Sequence, residues 1–184
     1  HFPLNELRKL LSHFRSIFDE KQAKKEGNIK PRPGVDEAYD QAKDKVSTLL
    51  AEFDSYLAEQ KRNTGISQIA YFSTNKDRYQ LEVPVSQIGK VPGNWSSKSQ
   101  KKTHRRYWTQ EIEAKLARLN KAENELQEAQ NDTMRAVFEK FDRARSTWSD
   151  ALACISILDA LLSLALVSSS PNYCWPEIHD RQVE

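Results

Sequence analysis

The stretch Trp95-Ser96-Ser97-Lys98-Ser99-Gln100-Lys101-Lys102-Thr103-His104-Arg105-Arg106-Tyr107-Trp108 separates two long helical patterns and decides how the chain is read. No acidic residue occurs between Glu82 and Glu111, yet Lys90, Lys98, Lys101, Lys102, Arg105 and Arg106 all fall in that gap. The whole chain is close to neutral, with 28 basic and 26 acidic residues. The remainder, taken alone, is therefore net acidic. Cations concentrated between two helical segments predict a basic tip on a helical stalk.

Working outward, the downstream side is a helix predicted from near Tyr107 to about Ser168. Its first part is rich in Ala, Glu, Lys and Leu, and Ile112, Leu116, Leu119 and Leu126 hold coiled-coil spacing. Its last part, Ala151 to Val167, is apolar almost all round and predicts a helix buried in something larger. Sixty such residues would span about 90 Å at about 1.5 Å each. Upstream, Asp36 caps a helix predicted to run to about Arg62, with Ala42, Val46, Leu49, Leu50, Phe53, Tyr56 and Leu57 on one face. Asn63-Thr64-Gly65 stops it.

Residues 66–84 change period. Ile69 to Phe72 and Tyr79 to Val83 predict two strands joined by the loop 73–78. Val85 to Gly93 is irregular, with room for a helical turn. A third strand is predicted from Trp95 to about Thr103. At the N-terminus, Leu7, Leu10, Leu11, Phe14, Ile17 and Phe18 predict one helix from Leu4 to about Lys24, stopped by Gly27. Pro31 and Pro33 make residues 28–35 an extended linker. The fold class is mostly α with a small β element: long antiparallel helices carrying a β-stranded tip. The segments are 1–34, helix and linker; 35–65, ascending helix; 66–107, β-rich tip; 108–170, long descending helix; and 171–184, the start of a following, cut-off element. A chain that opens inside a helical pattern without Met reads as an excised piece.

Composition narrows the function. Charged residues are 29% and mean hydropathy is −0.76, too polar for one large core. The apolar run from Ala153 to Val167 is short for a membrane span and contains Asp159, so no membrane role is expected. Cys154 and Cys174 make no disulfide framework, and Cys154 reads as a buried thiol. The four histidines lack metal-ligand spacing, and there is no phosphate-binding glycine loop. Acidic residues fall beside lysines and arginines on predicted helix surfaces. No catalysis and no cofactor are expected of this segment.

The tip carries the chemistry. In an extended strand Lys98, Gln100, Lys102, His104 and Arg106 face one way, and Ser97, Ser99, Lys101, Thr103 and Arg105 the other. Cations interleaved with hydroxyl and amide donors suit phosphate contact. With no base-reading helix, the expectation is sequence-independent contact with the DNA backbone, steeply sensitive to salt. Lys76 and Arg78 in the 73–78 loop could extend the patch, although Asp77 lies between them. Trp95, Tyr107 and Trp108 either stack on bases or wedge the strands onto the helix ends. A contrasting reading is a coiled-coil structural arm whose basic tip binds another protein.

Four stretches resemble the lever and clamp region of the MutS family of mismatch-repair proteins, in that family's order. They are residues 33–40 (PGVDEAYD), 77–84 (DRYQLEVP), 99–109 (SQKKTHRRYWT) and 157–165 (ILDALLSLA). The Lys-Lys pair followed by Arg-Tyr-Trp-Thr is most similar to the mismatch-reading subunit of the eukaryotic MutSα heterodimer. That resemblance implies an antiparallel lever, with a clamp at 66–107 holding double-stranded DNA by its phosphates. Carried over by position, Lys98, Ser99, Gln100, Lys101 and Lys102 lie on the DNA-facing strand, and Asn75 and Lys76 form a second candidate. It also implies a nuclear parent with a DNA-dependent ATPase using ATP and Mg outside this segment, and a MutS homologue as heterodimer partner. Trp175-Pro176-Glu177-Ile178 departs from the family, which has Arg before that Pro. Cut from its neighbours, the apolar helix predicts self-association.

Overall fold

The structure is a computed structural model and describes residues 2–74 and 77–174. Two long helices, α3 (Glu37–Thr64) and α4 (Gln110–Arg143), pack side by side. Partners across the pair run in opposite directions. Asp36 meets Thr133, Lys45 meets Glu125 at 2.6 Å, Glu52 meets Arg118 at 3.1 Å, and Tyr56 meets Thr109 at 2.7 Å. The helices are therefore antiparallel, and charges that look merely solvated in sequence bridge them. Asp36 caps α3 by accepting from the Tyr39 N–H, and Gly65 ends it with φ 66°.

Between α3 and α4 the chain builds a four-stranded antiparallel sheet of order β1-β2-β4-β3. Its strands are β1 (Ala70–Phe72), β2 (Gln80–Pro84), β3 (Ser96–Gln100) and β4 (His104–Trp108), with a 3₁₀ helix at Val85–Lys90. The single strand expected from Trp95 to Thr103 is instead a hairpin. Lys101 N–H donates to the His104 carbonyl at 2.8 Å and reverses the chain over Lys101–Thr103. The burial pattern explains the reversal. Arg106 and Tyr107 on β4 are buried beside β2, whereas every residue of β3 is exposed on the sheet's edge. Tyr107 and Trp108 accordingly belong to β4, and α4 starts later than expected. Its cap is Thr109, whose Oγ1 accepts from Ile112 N–H at 3.1 Å.

The core lies where the sheet meets the helix ends. Phe53, Tyr56, Ile66, Ile69, Leu81, Val83, Trp95, Tyr107, Ile112 and Leu119 form one buried cluster. Leu50, expected on the buried face of α3, is exposed.

Away from the tip the expected helices are interrupted. The first divides into α1 (Leu4–Ile17) and α2 (Glu20–Glu26). Phe18 is extended and bridges Pro31, and Asp19 caps α2 by accepting from Gln22 N–H. An Asp inside a helical pattern was the available signal. The last divides at Ala144 into α4 and α5 (Arg145–Ser168). Across that break the Trp148 ring stacks on Phe141 at 5.1 Å, its indole N–H donates to the Phe141 carbonyl, and Phe14 of α1 packs on both. Beyond it, α5 displays Leu152, Ile155, Leu158, Leu161, Leu162, Leu164 and Leu166 to solvent. By length and composition α5 could cross a membrane, but Asp159 lies within it. Cys154, expected buried, is only half-buried.

Candidate nucleic-acid interface

The edge position of β3 decides what the basic stretch can do. A strand paired on one side only, with all five residues exposed, presents its side chains outward. Ser99 and Gln100 stand there, and Lys101, Lys102 and Thr103 form the exposed turn that follows. Gln100, Lys101, Lys102 and Thr103 line one open, shallow depression. Among the described residues, no carboxylate lies within ion-pair distance of Lys90, Lys101, Lys102 or Arg105. Asn75 and Lys76, the second candidate set, lie outside the described residues.

Lys98 differs from its neighbours. Ser97 pairs with Tyr107 and Ser99 with Arg106, so Lys98 is the extra residue of a bulge between them. Bulges re-aim side chains. Its Nζ sits 4.5 Å from the centroid of the Trp108 ring and 3.5 Å from Glu113 Oε1. This bulge also breaks the one-face alternation expected from a continuous strand, and the turn at 101–103 ends it.

Two other cations are taken up by the fold. Arg106 is buried, donates from Nε to Glu82 Oε2 at 2.7 Å, and lies over the Phe72 ring at 3.3 Å. Its charge holds the sheet and does not face solvent. Arg78 donates to both carboxylate oxygens of Glu123 at 2.6 and 2.8 Å, and that hydrogen-bonded partner raises its pKa further. It ties the chain just before β2 to α4 instead of extending the patch. The aromatic residues resolve the same way. Trp95 and Tyr107 meet edge to face at 5.8 Å inside the core, and Trp108 donates from Nε1 to the Arg78 carbonyl.

Among the described residues, β3 and its turn expose Lys98, Lys101 and Lys102, with Ser99, Gln100 and Thr103 as neutral donors, and Glu113 is the carboxylate beside Lys98. Such a surface can grip phosphates but has no element shaped to read base edges. Sequence reasoning found these residues and missed Glu82, Glu113 and Glu123. Two of those lie on the far side of Glu111 and approach only through the fold.

Comparison with known proteins follows the same segment. A family model described as MutS family domain IV matches residues 34–125. The chain is similar to the DNA mismatch repair protein Msh6 of Gallus gallus, 38% identical over 91% of this chain and 13% of that protein. It is also similar to Msh6 of Homo sapiens, 38% identical over 84% of this chain and 12% of that protein. A probable Msh6 of Drosophila melanogaster is 36% identical over 94% of this chain and 15% of that protein. The chain thus spans roughly an eighth of the length of these relatives.

Proposed function

The chain belongs to the MutS family of DNA mismatch-repair proteins, and from that premise we propose that it is the lever and clamp segment of a mismatch-recognition protein. The tip formed by β1–β4 holds double-stranded DNA by its phosphates, without reading sequence. The α3–α4 pair carries that grip toward the remainder of the protein, where an ATPase using ATP and Mg responds to it. The parent acts in the nucleus, paired with a second MutS homologue.

One observation carries the reading. At the far end of a two-helix arm, an edge strand and its turn expose Lys98, Lys101 and Lys102 within a stretch that holds no acidic residue from Val83 to Gln110. Four to six phosphate contacts support a dissociation constant on the order of 10⁻⁵ M or weaker at physiological salt. Fluorescence anisotropy with labelled duplexes tests it. The expected result is equal affinity for matched and mismatched DNA, a steep loss with salt, and abolition when Lys98, Lys101 and Lys102 are changed to Glu. Binding that is indifferent to those changes would overturn it.

A further inference from the structure

The bulge at Lys98 gives the patch two kinds of cation. Lys101 and Lys102 stand in solvent on the turn, while Lys98 is turned back over Trp108 toward Glu113. Glu113 is placed there by the fold. It lies in the first turn of α4, where its N–H donates to the carbonyl of the capping Thr109 at 3.1 Å. Trp108 is fixed in turn by its indole bond to Arg78, itself held by Glu123. The surface that receives the Lys98 ammonium is therefore built from residues locked on both sides.

We propose that Glu113 is a positioning residue: it holds Lys98 back as an internal counter-ion, and a DNA phosphate must displace it to recruit that lysine. The proposal rests on the DNA-clamp reading above. The physical basis is competition. A carboxylate 3.5 Å from the ammonium pairs with its charge, and a phosphate oxygen would compete for that same charge. The pair is half-exposed, so exchange is inexpensive and reversible. Lys101 and Lys102 make first contact, and Lys98 follows only when the backbone is close enough to outcompete Glu113. Glu113 thus weakens the grip by stabilising the DNA-free form, and so favours release.

The test is duplex binding by the full chain across a salt series, comparing Glu113→Gln, Glu111→Gln, Lys98→Ala and the Lys98→Ala/Glu113→Gln double variant. Glu111 is the control: it is also in the first turn of α4, and its change alters net charge equally, but its partner is Lys115 at 3.7 Å. Glu113→Gln should tighten binding about two- to fivefold. It should also steepen the salt dependence slightly, because salt screens the Lys98–Glu113 pair that opposes binding only in the wild type. Glu111→Gln should do neither, and the gain should vanish in the double variant. Equal gains from Glu113→Gln and Glu111→Gln, or a gain that survives loss of Lys98, would overturn the proposal. A Lys101→Glu/Lys102→Glu variant separates the two levels. If it weakens binding while Glu113→Gln has no effect, the clamp stands and the counter-ion role fails. If it leaves binding unchanged, the clamp reading fails and takes this inference with it.

Discussion

The Tyr79 ring lies stacked on Phe53 with centroids 4.0 Å apart, while the Tyr79 backbone sits at φ 56°, a left-handed conformation rare for an aromatic residue. The stack, an edge-on contact from Tyr71 and a bond from Tyr79 N–H to Ser73 Oγ hold that strained residue where β2 begins. Phe53 is 1% exposed, so Phe53→Ala removes both the core of the tip and the support of Tyr79. Urea unfolding should show a loss of about 3–5 kcal/mol. Leu50→Ala, on the same helix but exposed, should cost under about 1 kcal/mol.

The Arg78–Glu123 pair joins the loop before β2 to α4 with two bonds to one carboxylate. Both side chains are about one-third exposed, at 33% and 36%. Screening therefore limits its worth to about 1 kcal/mol. Glu123→Gln should lower stability by that amount at low salt and by less at 1 M salt. A loss unaffected by salt would show that packing, not charge, is responsible.

Acid should loosen the helix pair. The Thr133 hydroxyl, and then the Tyr39 N–H, hold the Asp36 carboxyl below its ordinary value of 3.8. Lys115 and Arg118 lower Glu52, and Lys45 lowers Glu125, from 4.5. Each group is ionised more readily folded than unfolded. Their stabilisation is complete above the unfolded values and is lost as pH falls through the lowered folded ones. Stability should thus decline from about pH 5 toward pH 3. Asp36→Asn retains a capping side chain but should flatten part of that decline, read by thermal unfolding at each pH.

The bare face of α5 should drive association of the isolated chain. Leu158 is 66% exposed and Leu162 57%, an apolar area that solvated proteins rarely leave open. Light scattering after size-exclusion chromatography should show mass rising with concentration, and Leu158→Lys with Leu162→Lys should return a monomer. A wild-type monomer at every concentration would contradict this.

Much of the architecture was readable because it rests on local signals. Asp36, Gly65 and Gly27 marked helix ends, and the spacing of Leu49, Phe53 and Tyr56 marked the buried face of α3. The failures were tertiary. Lys101-Lys102-Thr103 contains no Gly, Pro or Asn, so nothing local announced a turn; it forms because Tyr107 is buried beside Leu81 and leaves β3 outside. Ala144 likewise carries no breaker, and the Phe14, Phe141 and Trp148 cluster accompanies the break. At the tip, the cations were legible as a group. Which of them are neutralised was not, because Glu82, Glu113 and Glu123 reach Arg106, Lys98 and Arg78 from elements distant in sequence.

The break at Ala144 lies at the opposite end of α4 from the tip. From Ala144 to the cap at Thr109, α4 covers about 50 Å at about 1.5 Å per residue. The buried cluster fuses its far end to α3 and to the sheet. Rotation of that fused unit by about 5° about Ala144 would sweep the tip through about 4 Å, by the same helix geometry. A tip so far from the break would magnify any angle introduced there, while contacts inside the fused unit, Lys98 with Glu113 among them, would stay as they are.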